Sequence, residues 1–105
     1  MTRAEAIKQA LQNLRVLDAI SNPAAEDAES VGQRLDQERA RLTEKGLCWW
    51  DADAIPDSVA GAFCDLVAQR CQTLFGRSYD ATGAEAMIAG AKSSARVDEQ
   101  RAVYF

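Results

Sequence analysis

Apolar residues recur at helical spacing in four stretches of the chain, each bounded by residues that start or stop helices. In the first, Ala4, Ile7, Ala10, Leu11 and Leu14 fall three or four positions apart and so share one face of a helix. Thr2 and Glu5 precede it at capping-box spacing, where hydroxyl and carboxylate satisfy backbone donors at a helix start. The pattern predicts a helix from Arg3 to Leu17. Ser21, Asn22 and Pro23 then interrupt it, because proline cannot continue a helix and disfavours helical geometry in the residue before it.

A second helix is predicted after Pro23, with Glu26, Asp27 and Glu29 in its first turns, where carboxylates complement the positive end of the helix dipole. Its stripe is Ala28, Val31, Leu35 and Leu42, and Gly46 suits the position after its end. Glu38 and Arg39 interrupt that stripe, which reads as a helix only half buried. Leu47 to Ile55 form an Asp-rich connector holding both tryptophans, Trp49 and Trp50. A third helix is expected from Pro56, at the position where a missing N–H costs nothing, to Gly76. Its face of Val59, Ala62, Phe63, Leu66, Val67, Leu74 and Phe75 is the strongest apolar pattern in the chain and the expected centre of the core. Thr82 and Glu85 repeat the capping-box spacing ahead of a fourth helix carrying Ala84, Met87, Ile88, Ala91 and Ala95. Periodicity fades from Arg96 onward. The expected architecture is all-α: a small bundle of about four helices over residues 1–95 and an extended C-terminal tail over 96–105.

The 105 residues fit one domain, and because alanine supplies much of the apolar content the core should be narrow. A formal net charge of -4, with acids and bases interleaved, disfavours capture of nucleic acid by charge, which needs clustered Lys and Arg. A helix-turn-helix reading ranks low, since Arg70, Arg77, Lys92 and Arg96 are too scattered for a recognition helix. The chain opens on a charged amphipathic segment, and no stretch is apolar for the length that spans a bilayer. Soluble, cytoplasmic synthesis is the expectation.

Candidate chemistry is sparse. Without histidine the usual base at neutral pH is missing, and no phosphate-binding glycine loop or nucleophile-elbow pattern occurs. Asp51, Asp53 and Asp57 have the opening spacing of a calcium loop, but Pro56 and Ala62 stand where glycine and glutamate are needed. Glu26 and Glu29 lack the Glu-x-x-His partners of a diiron bundle site. Cys48, Cys64 and Cys71 have neither metal-ligand spacing nor a neighbouring base, and read as reduced, small apolar residues. No metal, cofactor or enzymatic activity is expected, and protein contacts are the expected mode of action. Adjacent Trp49 and Trp50 either both cover the end of the bundle or leave one exposed as an interface anchor. The tail ends in Val103, Tyr104 and Phe105, which either enter a partner or fold back on the chain's own core.

An opening helix AIKQALQNLRVL, an acid-led second helix, a Trp-containing connector, the proline-started IPDSVAGAFCDLVAQRCQTLFG and the alanine-rich EAMIAGAKSSAR follow one another over residues 2–96. In this order they resemble the small helical head-to-tail adaptors of tailed bacteriophages, especially the tail-accessory type that stabilises packaged DNA. The resemblance implies a virion protein at the head-tail junction, present in the host cytoplasm before assembly. Its copies, typically twelve, would form a ring under the portal protein, extend the DNA channel and offer a platform to a downstream tail or stopper protein. It also implies portal docking by the C-terminal segment, which falls by position on Arg101, Val103, Tyr104 and Phe105. Neither membrane association nor sequence-specific nucleic-acid binding is implied. The rival reading is a small cytoplasmic helical regulatory or protein-interaction module that uses Trp49 and Trp50.

Overall fold

The computed structural model describes residues 1–18 and 20–93; the expected docking tail, with Arg101, Val103, Tyr104 and Phe105, lies outside them. The described chain is all-α, with no strand among the described residues. Helices α1 (Arg3–Asn13), α2 (Ala25–Glu44) and α3 (Asp57–Arg70) pack pairwise against one another. A one-turn helix α4 (Gln72–Phe75) follows, and a further helix, α5, covers 84–93. Arg3 meets Asp36 while Ile7 and Lys8 share a groove with Ala28, so α1 and α2 run antiparallel.

The capping box at Thr2 forms as the spacing predicts: Thr2 Oγ1 accepts from Glu5 N at 3.2 Å and Glu5 Oε1 accepts from Thr2 N at 3.1 Å. The far end of α1 differs from expectation, stopping at Asn13 instead of Leu17. Arg15 takes the left-handed conformation with φ 59°, and Val16 N–H returns to the Leu11 carbonyl at 3.0 Å, the helix-ending motif that glycine usually serves. With an arginine there, no residue type announces the stop. Gly46, at φ 72°, ends α2 in the same way, with Leu47 N–H bonded to the Leu42 carbonyl at 2.8 Å.

The third helix divides where a single one was expected. Cys71 N–H is shared between the carbonyls of Val67 and Ala68, and the turn re-forms as α4 before Gly76 caps it at φ 61°. The break changes the helical phase, so Leu74 is exposed and Phe75 only half-buried, although both were assigned to the core. Pro56 occupies the cap position just before α3. The expected capping box at Thr82 and Glu85 does not form. Thr82 Oγ1 donates instead to Asp80 Oδ1, the Glu85 carboxylate leaves for Lys45, and Ala84 opens α5.

Phe63 stands at the centre of the core with Leu11, Val31, Leu35, Leu42, Val59, Val67 and Ile88, all out of reach of solvent. Cys64 and Cys71 belong to this core as small apolar groups. Phe63→Ala should therefore destabilise by about 3 to 5 kcal/mol, whereas Leu66→Ala, at a position that borders an open cleft, should fall near 2 kcal/mol, the lower end for a deleted core leucine. Urea unfolding checks the order of the two, and a larger loss at Leu66 would contradict this placement of the core.

Candidate functional site

The connector between α2 and α3 is irregular yet held at several points. Ile55 and Met1 exchange backbone hydrogen bonds, each 2.8 Å, and Arg3 N donates to Asp53 Oδ1 at 3.1 Å. Arg39 reaches over from α2, donating from Nε at 3.2 Å and from Nη2 at 2.8 Å to the Trp50 carbonyl. Trp50 is buried, edge-on to Phe63 with ring centroids 5.5 Å apart, and Trp49 stands edge-on to Trp50 at 5.0 Å. Trp49 keeps 41% of its surface exposed, so the connector buries one indole and presents the other. The Trp50 Nε1–H is buried without an acceptor among the described residues.

Glu38 occupies the gap in the α2 stripe. Because it stands seven residues after Val31 and four before Leu42, it faces the core, and its side chain is 3% exposed. The helix is half-buried as expected, with Val31, Gly32, Leu35, Glu38 and Leu42 its buried residues, but the interruption is not its solvated side: the charge points inward with partners. Arg41 Nε donates to Glu38 Oε1 at 3.0 Å, its Nη2 also bonds Oε1, and Arg70 Nε from α3 donates to Oε2. Arg70 Nη1 continues to Gln37 Oε1 at 3.3 Å. On the α5 side, Glu85 lies 3.6 Å from Arg41 and accepts from Lys45 Nζ at 2.7 Å, and these cations hold its carboxyl below the usual glutamate range. The network forms one wall of a cleft of about 520 Å³ with Leu66, Gln69, Ala81 and Gly83. Sequence reading missed it. The available signal was a glutamate at a core-facing register with arginines one turn on and on the neighbouring helix.

The remaining sequence candidates do not converge. No group able to hold a metal ion occurs among the described residues; Asp53 serves the Arg3 backbone, and Asp57 stands in the first turn of α3. Glu26 lies in the first turn of α2, and Glu29, one turn along, is exposed. Asp65 Oδ1 accepts from Tyr79 Oη at 2.6 Å and Asn13 Nδ2 at 3.3 Å, tying the segment after α4 to α1 and α3.

Comparison with protein-family models, with curated proteins and with solved structures finds no match for this chain.

Glu38→Ala leaves two guanidinium groups without their shared carboxylate. Breaking a buried pair costs about 3 to 5 kcal/mol, but both arginines are about one-third exposed and can turn to water, which lowers the expected loss to about 2 to 3 kcal/mol. Glu38→Gln, which keeps the shape and one acceptor, should lose about half as much. Urea unfolding of both variants measures this, and a loss under about 0.5 kcal/mol for Glu38→Ala would contradict a role for the network in holding the helices together.

Burial pushes the Cys64 and Cys71 thiols up to about 11 from 9.0, and burial, aided by the bond to Asp65, pushes Tyr79 up to about 12 from 10.0. A raised value means the folded state holds its proton more tightly than the unfolded state. The associated stability is complete below the ordinary values and is lost as pH rises, from 9 to about 11 for the thiols and from 10 to about 12 for the phenol. The melting temperature should decline across this alkaline window, and Tyr79→Phe should remove the upper part of the decline. A constant melting temperature between pH 8 and 11 would contradict the assignment.

Proposed function

We propose that this protein works by docking and is a structural adaptor of the head-to-tail kind that its sequence resembles. On this reading it assembles as a ring at the head-tail junction of the virion, beneath a portal, and passes the contact on to a downstream tail or stopper protein. The observation that carries it is Trp49, an exposed indole held by a buried neighbour on a connector pinned at Met1, Arg3 and Arg39. An aromatic anchor already fixed in the free protein loses little further entropy on binding, which favours it as an interface hot spot. The order of helices and connector over residues 2–96 supplies the identity of the partner. The tail side chains Arg101, Val103, Tyr104 and Phe105 supply a second candidate anchor.

Isothermal titration of the whole protein against a purified portal ring separates these contributions. Trp49→Ala should weaken binding by about 30-fold or more, the loss expected for a hot-spot truncation of about 2 kcal/mol, with helix content retained and the melting temperature lowered only by the loss of the edge-on contact with Trp50. Deleting residues 97–105 should likewise weaken binding if the tail docks. A deletion variant that is stable and still binds assigns docking to Trp49 alone, whereas one that melts early assigns the tail to the chain's own core. Failure of the unaltered protein to bind portal would sink the adaptor reading and leave the regulatory or interaction module as the alternative.

A further inference from the structure

Two helix ends each bring an arginine to one cleft of about 360 Å³, walled by Asn13, Leu14, Arg15, Arg77, Ser78 and Tyr79. Arg15 holds the left-handed position at the end of α1, at φ 59°, where glycine would sit without strain. Arg77 follows Gly76, which takes the same conformation at the end of α4. The two stretches are tied together: Asp65 Oδ1 on α3 accepts from Tyr79 Oη at 2.6 Å and from Asn13 Nδ2 at 3.3 Å, and Tyr79 N donates to Gln72 Oε1 at 3.3 Å. No carboxylate lines the cleft itself. Neither arginine side chain makes a hydrogen bond or ion pair among the described residues, not even to a carbonyl at the helix end it leaves. Arginine at the left-handed position therefore strains the fold and makes no bond within it, so the use of its guanidinium lies outside the fold.

We propose that this cleft binds a phosphate group, free or as the terminal group of a small monoester, between the guanidiniums of Arg15 and Arg77. Each guanidinium is a planar fork of N–H donors that matches two oxygens of an oxyanion. One fork is enough for a carboxylate with its single charge. Two forks match a phosphate, which offers more oxygens and carries about two negative charges above neutral pH. Ser78, exposed at the rim, adds a hydroxyl donor. A polynucleotide fits less well, because it is held by cations along a track and this chain has a net charge of -4. Asp65, bonded to two of the wall residues, repels an anion, and both arginines are exposed to water, so the dissociation constant is about 1 mM. Phosphate binding here shares no residue with the Trp49 connector and is independent of the portal reading.

Amide NMR shifts of the whole protein, followed while inorganic phosphate is raised from about 0.1 to about 20 mM at about pH 8 and constant ionic strength, test it. Shifts at residues 13–15 and 77–79 should saturate together, and acetate should bind about ten-fold or more weakly. O-phosphoserine distinguishes the two sources: binding tighter than that of inorganic phosphate assigns the site to a monoester, and weaker binding assigns it to the free anion. Arg77→Gln should weaken phosphate binding by about ten-fold or more with the melting temperature unchanged. Arg15→Gly, which relieves the left-handed strain, should weaken it as much and melt no earlier than the unaltered protein. The proposal is overturned if no saturable shift occurs in the unaltered protein, or if either variant binds phosphate as well as it does. Earlier melting of Arg15→Gly would overturn it too, by assigning the side chain to the fold. So would acetate binding as tightly as phosphate, or a short oligothymidylate binding more tightly, the latter by making the cleft a contact for nucleic acid.

Discussion

The packing of α5 and α3 against α2 turns on one buried carboxylate. Glu38 lies within the apolar stripe of the longest helix, where an unpaired charge would be too costly to keep, so the surrounding chain is arranged around its satisfaction. Arg41 supplies two donors from the next turn and Arg70 one from α3, and Arg41 in turn approaches Glu85 on α5. Apolar packing is non-directional and would tolerate several rotations of α5 on the bundle. The ion pairs add direction to that packing, with Arg41 and Lys45 meeting Glu85 at partly exposed positions and Lys92 bonding the Gly46 carbonyl at the end of α2. Their contribution is better regarded as specificity than as stability, since a buried pair can be replaced by apolar residues at little cost.

That division of labour explains what was legible beforehand. Helices α1, α2 and α3 were readable because their apolar residues repeat at helical spacing and because Thr2, Pro23 and Gly46 mark their limits by simple local chemistry. The end of α1 was not readable, because an arginine holds a left-handed position that any residue can occupy at a cost of about 1 kcal/mol when packing demands it. The break at Cys71 was equally silent, since it consists of a shared backbone hydrogen bond with no breaking residue to signal it. Glu38 was misjudged for a related reason: a charge interrupting a stripe usually marks a solvated face, and only the partners on other elements reveal that it points inward. Of the candidate site, the adjacency of the two tryptophans left two readings open, both covering the bundle end or one exposed, and the packing of Trp50 on Phe63 decides between them.

Two of the exposed large apolar side chains, Trp49 and Ile20, are on connectors. Trp49 and Ile20 each stand outside regular structure, where backbone groups lack helical partners and freedom would be expected. Side chains supply partners in both places: Arg39 reaches from α2 to the carbonyl of Trp50, and the neighbouring Asp18 carboxylate accepts from the N–H groups of Ile20 and Ser21. The Ser21 side chain foremost, then the N–H groups of Ser21 and Ile20, hold the Asp18 carboxyl below its ordinary range, so the turn is complete above that range and loosens as pH falls through the lowered value.

It follows that the affinity of a contact made by either side chain is set partly by residues that touch no partner. An exposed apolar side chain on a loose loop must be ordered when it binds, and each rotamer-rich side chain so immobilised costs roughly 0.5 to 1.5 kcal/mol. Where folding has already fixed the backbone, the backbone part of the ordering is met in the free protein and only the side chain remains to be ordered. Arg39 holds the connector in this way: its fork on a single carbonyl orients the peptide between Trp50 and Asp51, on the connector that carries Trp49. Lysine could replace its charge but not two N–H groups at fixed angles, so the geometry of the connector depends on a guanidinium.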